Sequence, residues 1–389
     1  MTSAQAHSAK ARAPLPPGST VGVVGGGQLG RMLGYAAHQH GYRVAVLTGG
    51  GSDTPAGAVA EVEIAAGFDD EAAIARLVAE SDVITWEFEN VDAGIADAAT
   101  NAGVEVRPSG EIVATAQDRR AEKEALTAAG VAVAPWRSAE SESELVSAVH
   151  ELGLPVIAKA ARFGYDGKGQ ARIERTDETA DVWRRLGAQR LVVESVVAFD
   201  RELSVIVARS PDGEVADHGV MENRHVDHIL DSTITLARLS PGHLDEATAI
   251  ATQIADQWGL VGVLCVEMFD TAGGLVVNEV APRPHNSGHC TIEASPTSQF
   301  EQQLRAVVGM PLGDGRCRPA AMVQLLGDLF AEGTPDWSPV FAQSGVHLHL
   351  YGKHEARKGR KMGHLTAVGD DPHVLLDRVT ALRQALTDR

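Results

Sequence analysis

The chain has 389 residues, 44% hydrophobic and 22% charged, with a formal net charge of -18. That length suits two or three globular domains, and the acidity excludes a broad nucleic-acid or anionic-membrane surface. No apolar run reaches the roughly 18 residues of a membrane span, so neither nucleic acid nor membrane is expected as a partner.

Residues 1–18 are rich in Ala, Ser and Pro, lack the apolar core of a secretory signal and read as a flexible tail. Residues 20–24 form an apolar strand, Gly25-Gly26-Gly27-Gln28-Leu29-Gly30 a loop, and an amphipathic helix follows to about His40. A strand over 43–47, a helix over 70–80 and a strand over 83–86 continue the alternation, which implies a parallel sheet with flanking helices. The glycine loop has G-x-G-x-x-G spacing. A dinucleotide site would place an acid at the end of the second strand. Here stand Thr48-Gly49-Gly50-Gly51, and the nearest acid, Asp53, is in a loop. The glycines then serve either close helix–strand packing or a phosphate at the helix N-terminus.

A second region opens near Thr115 with a helix over 118–130. The strand over 154–159 ends in Lys159, whose ammonium would face a partner such as phosphate, or snorkel to the surface. Gly164-Tyr165-Asp166-Gly167-Lys168-Gly169-Gln170 is a flexible loop able to close over phosphates through backbone N–H groups. Strands follow at 171–173 and 191–194. Glu194, with Ser195-Val196-Val197, is laid out to offer backbone donors and acceptors to an adenine edge, with Glu202 on ribose hydroxyls.

Residues 264–269 and 275–280 read as two strands joined by the turn Thr271-Ala272-Gly273-Gly274. Folded as a hairpin, they set Glu267 nearly opposite Glu279. Two carboxylates in apolar sequence repel and call for a cation. Hard oxygen donors favour Mg²⁺ carrying substrate phosphates, and solvent-facing glutamates are the plain alternative. Ala281-Pro282-Arg283-Pro284-His285-Asn286-Ser287-Gly288-His289 follows, dense in polar groups and stiffened by two prolines. The remaining part has a strand near 347–350, a basic cluster from Lys353 to Lys361 in an otherwise acidic chain, and a final helix. The cluster is either a phosphate-binding surface or a solvated loop. The three cysteines, Cys265, Cys290 and Cys317, are odd in number and widely spaced, so no disulfide framework or zinc site is expected and a cytoplasmic setting is.

Lysine strand, glycine lid, Glu-containing linker, Glu202 and two-carboxylate hairpin, in that order, resemble the ATP-grasp superfamily. Within it the closest likeness is to the N5-carboxyaminoimidazole ribonucleotide synthetases of purine biosynthesis. It rests on Gly25-Gly26-Gly27-Gln28-Leu29-Gly30-Arg31-Met32, Thr85-Trp86-Glu87-Phe88-Glu89-Asn90, the 164–170 loop, Asn278-Glu279-Val280 with the run to His289, and Gly359-Arg360-Lys361-Met362-Gly363-His364. The resemblance implies an α/β chain, α+β in its ATP-grasp part. It would comprise a tail (1–18), an N-terminal Rossmann-like domain (19–114), an ATP-grasp domain (115–312) with a mobile lid (about 115–192), and a small C-terminal domain (313–389). It implies an ATP- and bicarbonate-dependent ligase that carboxylates 5-aminoimidazole ribonucleotide (AIR) through carboxyphosphate, as a homodimer with Mg²⁺, or Mn²⁺ in its place.

Carried onto this chain, Arg119, Lys159, Gly164, Tyr165, Asp166, Gly167, Lys168, Gly169, Gln170, Glu194, Ser195, Val196, Val197, Glu202, His225, Asn278 and Glu279 would bind ATP. Glu267, Glu279 and Asn286 would hold the metal. Lys159, Tyr165, Asp166 and Arg283 would be catalytic, while Gln28, Leu29, Glu87 or Glu89, His285, Asn286, Lys353, Arg360 and Lys361 would contact substrate. Spacing does not choose between Glu87 and Glu89, which point the same way on a regular strand. The alternatives are another ATP-grasp ligase, such as a formate-dependent glycinamide ribonucleotide transformylase, and a nucleotide-binding module without turnover. Gln28 and Asn286, where the transformylase would place Glu and Asp, favour the carboxylating enzyme.

Overall fold

A computed structural model describes residues 13–92, 94–162, 164 and 169–387. The first sheet holds Thr20–Val24 (β1), Arg43–Leu47 (β2), Val62–Ile64 (β3), Val83–Trp86 (β4) and Glu105–Val106 (β5). All pairings are parallel, in the order β3-β2-β1-β4-β5. Every residue of β1 and β4 is buried, as expected of strands covered on both faces. Helix Gln28–Gln39 starts directly after the glycine loop. The helix expected over 70–80 spans Glu71–Glu80, because the Asp70 carboxylate caps the N–H groups of Ala72 and Ala73 instead of joining the helix.

The second sheet holds Trp136–Ala139 (β6), Val156–Ala160 (β7), Gln170–Ile173 (β8) and Leu191–Ser195 (β9), antiparallel in the order β6-β9-β7-β8. Helix Arg119–Ala128 precedes it, capped by Asp118. Asp118 also pairs with Arg190, tying the helix start to the sheet.

The third sheet is antiparallel and eight-stranded: Arg201–Arg209 (β10), Val215–Val226 (β11), Ile229–Thr235 (β12), Gly262–Thr271 (β13), Gly274–Ala281 (β14), Ala320–Leu326 (β15), Val346–Leu350 (β16) and Lys361–Val368 (β17). Its order is β14-β13-β10-β11-β12-β15-β17-β16, so the C-terminal strands extend the sheet that carries the glutamate hairpin. Helix Pro241–Gln257 packs on one half of it and helix Pro372–Ala385 on the other. The hairpin edge, β14, is covered by the loop at residues 132–133: the Val277 N–H donates to the Ala132 carbonyl at 2.8 Å.

His218 on β11 lies in this core at 1% exposure, with Nε2 unpaired among the described residues. Burial pushes its pKa from 6.5 down to about 4. The unfolded chain therefore takes up a proton below pH 6.5 that the folded chain refuses, so stability is full above pH 6.5 and falls as pH drops towards 4, by about 3 kcal/mol in all. Comparing melting temperatures at pH 7.5 and 5.5 for the wild type and His218→Gln checks this. The acid-induced drop should shrink in the variant; an identical drop would remove His218 as its cause.

Candidate active site

The hairpin pairs as the sequence suggests, with Glu267 directly facing Glu279, but the register shifts immediately afterwards: Met268 faces Val277. Asn278 is the extra residue of a β-bulge. Such bulges re-aim groups beside active sites, and here the Asn278 carbonyl accepts a 2.8 Å hydrogen bond from Lys123 Nζ.

The hairpin forms one wall of a cleft of about 660 Å³, within the usual range for a ligand pocket. Arg119 and Glu122 approach from the start of their helix. Ile157, Lys159, Gly164 and Gln170 come from the four-stranded sheet and its loop. Glu202, Leu203, Asn223 and His225 supply the floor, and Lys361 enters from β17. Glu89, Glu267, Asn278, Glu279, Arg283, His285 and Asn286 complete the expected residues gathered here. Phe163 and residues 165–168, including Tyr165, Asp166, Gly167 and Lys168, lie outside the described residues.

Charge dominates the chemistry. Burial, and then the Glu279 charge, pushes the Glu267 carboxyl up to about 7. Burial opposes ionisation of Glu279 too, but Arg119, whose Nη1 lies 2.9 Å from Oε2, and Lys159 hold it down to about 2. The hairpin thus carries one firmly ionised carboxylate and one waiting for a counter-charge. His285 Nε2 lies 3.3 Å from Glu267 Oε1. Burial and the Arg283 charge hold that imidazole neutral, near 3, so the contact is no ion pair. A divalent cation fits this donor set. Among the described residues no group of three or more His, Cys, Asp or Glu surrounds one point. The rest of a shell would come from phosphate oxygens and water, as is usual for Mg²⁺.

A second charge system sits beneath the cleft. Glu194 accepts a 2.9 Å hydrogen bond from Lys159 Nζ and has Lys123 Nζ at 3.6 Å; the three residues are 5%, 7% and 1% exposed. The two ammonium groups keep Glu194 below the usual carboxylate range although burial opposes it. Lys159 thus has a carboxylate partner as well as a place on the cleft wall. Residues 194–197 are not part of that wall. The N–H groups of Ser195 and Val196 are engaged by the carbonyls of Pro135 and Pro155.

Glu87 and Glu89 take different directions because β4 ends at Trp86, before either of them. Glu87 turns into the glycine loop, where its carboxylate accepts from the Gly27 N–H, and burial raises its pKa. A Cβ at Gly27 would lie 2.2 Å from Glu87 Oε1, and one at Gly25, whose φ is +124°, 2.3 Å from Oε2. The glycines therefore make room for a carboxylate, and the loop packs against Glu87. Glu89 instead reaches the cleft and takes a two-pronged grip from Arg283, with Nη2 at 2.9 Å from Oε1 and Nε on Oε2. The Gln28 amide nitrogen donates to Asn286 Oδ1 at 3.2 Å. Leu29 is buried in the hydrophobic cluster of its helix, leaving its backbone alone for any ligand. Lys353 Nζ donates to the Lys361 carbonyl at 2.8 Å, and Arg360 Nη1 to that of Glu355 at 2.8 Å, and only Lys361 of these three cations lines the cleft. Glu202 and His225 pair at 2.6 Å.

Sequence reasoning missed Glu122 and Lys123. Burial pushes Glu122 up to about 7, and it accepts from the Val280 N–H at 2.8 Å. Both follow Arg119 at i+3 and i+4, on a helix face that also buries Leu126. Charges on the face that should be apolar were the signal. The stacked rings of Phe199 and Phe269, 4.5 Å between centroids, had no counterpart in the sequence pattern.

Comparison with known proteins matches residues 19–117 to the ribonucleotide synthetase preATP-grasp domain, 124–300 to the ATP-grasp domain and 320–378 to the phosphoribosylaminoimidazole carboxylase C-terminal domain. The N5-carboxyaminoimidazole ribonucleotide synthase of Bacillus subtilis (strain 168) is 44% identical over 354 residues, 90% of this chain and 91% of that relative. The crystal structure of an ADP complex of N5-carboxyaminoimidazole ribonucleotide synthetase superposes with a TM-score of 0.89 at 39% identity, covering 97% of this chain and 99% of the other. The Aspergillus clavatus N5-carboxyaminoimidazole synthase, solved with ADP and 5-aminoimidazole ribonucleotide, gives 0.85 at 28% identity over 96% of this chain and 99% of the other. With the hairpin, the cleft and all three domain matches in agreement along nearly the whole chain, the protein belongs to the N5-carboxyaminoimidazole ribonucleotide synthase family of ATP-grasp ligases.

Proposed function

We propose that this protein carboxylates AIR at its exocyclic amine, using ATP and bicarbonate, to give N5-carboxyaminoimidazole ribonucleotide, ADP and phosphate in purine biosynthesis. The single observation that carries the reading is the cleft in which Glu267 and Glu279 face each other beside Arg119 and Lys159. That arrangement suits a polyphosphate, and relatives of this chain have been solved with ATP, with ADP, and with ADP and AIR together.

A bicarbonate oxygen attacks the γ-phosphorus, the bond to the bridging oxygen breaks, and ADP leaves. Carboxyphosphate then splits into CO₂ and phosphate, which keeps the acid proton. The AIR amine adds to CO₂ and releases a proton to give the carbamate. Arg119 and Lys159 stabilise charge on the transferring phosphoryl group, and positioning supplies most of the acceleration. Glu267 and Glu279 would hold Mg²⁺, or Mn²⁺, which when bound neutralises phosphate charge. Arg283, anchored by Glu89, and His285 orient substrate beside them. Glu202 and His225 bind the nucleoside end, and the loop at 164–170 excludes water from carboxyphosphate. Asn286 could join the metal only by surrendering the hydrogen bonds on Oδ1.

The same reading includes a homodimer, a cytoplasmic location and the domain limits at 114 and 312. No described helix is long and apolar enough to cross a membrane. ADP release from Mg²⁺-ATP, measured with and without bicarbonate and AIR, tests the proposal. Strong stimulation that needs both supports it. Stimulation by formate and glycinamide ribonucleotide instead would transfer the site to the transformylase reaction.

A further inference from the structure

Behind Asn286 lies a polar column that the reaction as described does not use. The rings of His289 and His364 stack at 4.8 Å between centroids, 13° from parallel, and those of His364 and His349 at 4.5 Å and 15°. His289 and His364 are fully buried. At the far end His349 Nε2 meets Glu293 Oε1 at 2.6 Å. The Tyr351 hydroxyl lies 2.9 Å from His364 Nδ1, and the Phe300 ring stacks on His289 at 5.8 Å. At the near end His289 Nε2 lies 3.2 Å from Asn286 Oδ1, the oxygen that also accepts from Gln28. His289 Nδ1 is buried without a hydrogen-bond partner among the described residues.

A neutral imidazole carries one N–H, and its position sets the direction of the whole chain of bonds. With the proton on Nε2, His289 donates, Asn286 offers its oxygen to both neighbours, and Gln28 donates. With the proton on Nδ1, both amides must turn over and a buried N–H points at nothing. An orphaned buried N–H is the rarer and costlier defect than a bare acceptor.

We infer that His289 is a positioning residue whose Nε2–H fixes the Asn286 amide, oxygen towards Gln28 and nitrogen towards the cleft, while the His364 ring locks the imidazole in plane. The inference deepens the AIR-carboxylation reading and rests on it for the ligand. Asn286 lines the cleft, so its NH₂ becomes a donor to a substrate oxygen. Gln28, with one amide N–H on Asn286, has its carbonyl oxygen as an acceptor for an N–H. A neutral acceptor–donor pair of this polarity suits an uncharged aromatic amine and the oxygen of a one-carbon acid. It offers no counter-charge to an ammonium group.

The test uses the full chain. His289→Phe keeps a flat ring against His364 and Phe300 but has no donor. The expected result is a rise of about tenfold in KM for AIR, the scale of one oriented hydrogen bond, with KM for ATP and melting temperature little changed. Asn286→Ala should raise KM for AIR too, and adding His289→Phe to it should cost nothing further, because both remove one interaction. An unchanged KM for AIR, equal losses for ATP and AIR accompanied by a lower melting temperature, or additive effects would each overturn the assignment. Nitrogen NMR of the wild type with ¹⁵N-labelled histidine reads the tautomer without a mutation, should His289→Phe fail to fold. A protonated Nε2 at His289 is expected, and a protonated Nδ1 would overturn it. Wild-type ATP turnover indifferent to AIR would instead remove the underlying reading, and the NMR result would still decide the tautomer.

Discussion

Glu279→Gln is expected to abolish ADP release to within about a thousandth of the wild-type rate, the scale lost when a preorganised charge at the reacting phosphate is removed. Its fold should survive. The Glu279 side chain is 41% exposed, and its ion pair with Arg119 belongs to the class worth under about 1 kcal/mol. Glu267→Gln is expected to be equally inactive but to move stability the other way. Folding raises the Glu267 pKa from 4.5 to about 7. Above pH 4.5 the unfolded chain gives up a proton that the folded chain retains, so this residue's contribution falls as pH climbs through 7. Removing the charge should therefore raise the metal-free melting temperature at pH 8, with a gain that fades towards pH 5. Melting curves and ADP assays on both variants separate the outcomes. An active Glu279→Gln, or a Glu267→Gln that melts lower at pH 8, would contradict the assignment of this hairpin as an electrostatically strained phosphate site.

The largest stability effect is expected at Glu194. Lys159 and Lys123 both lean on its carboxylate inside the protein, at 2.9 and 3.6 Å. Glu194→Gln leaves two buried ammonium groups with a neutral amide, and removing one member of a buried ion cluster costs about 3–5 kcal/mol. Turnover should fall as well, since Lys159 also lines the ATP cleft and Lys123 holds the bulge carbonyl of Asn278. Adding Lys123→Met to Glu194→Gln should recover part of the loss, because one uncompensated charge is then removed. Melting temperatures of wild type, single and double variants decide it. A Glu194→Gln variant as stable as the wild type would mean that water reaches these charges.

Much of the architecture was legible because periodicity reports burial. The largely apolar runs of β1 and β4, alternating with helices, announced a parallel sheet, and the two runs around Thr271-Ala272-Gly273-Gly274 announced the hairpin and its facing glutamates. What stayed hidden depends on contacts between distant segments. Glu87 and Glu89 are two residues apart and looked equivalent. The end of β4 sends one to Gly27 and the other to Arg283, nearly two hundred residues away. Lys159 was read towards phosphate, yet its nearest partner is Glu194 on a neighbouring strand. The bulge at Asn278 is one inserted residue that no local pattern marks, and it turns a carbonyl towards Lys123. The His289–His364–His349 column joins two segments of the chain, and only the folded sheet aligns its rings.

The most direct measurement follows oxygen. With ¹⁸O-labelled bicarbonate, Mg²⁺-ATP and AIR, a bicarbonate attack on the γ-phosphate leaves one labelled oxygen in the inorganic phosphate for each turnover. That transfer is the expected result. Phosphate that gains its new oxygen from water alone, while AIR is carboxylated or ATP is spent, would contradict the carboxyphosphate route and the role given to this cleft.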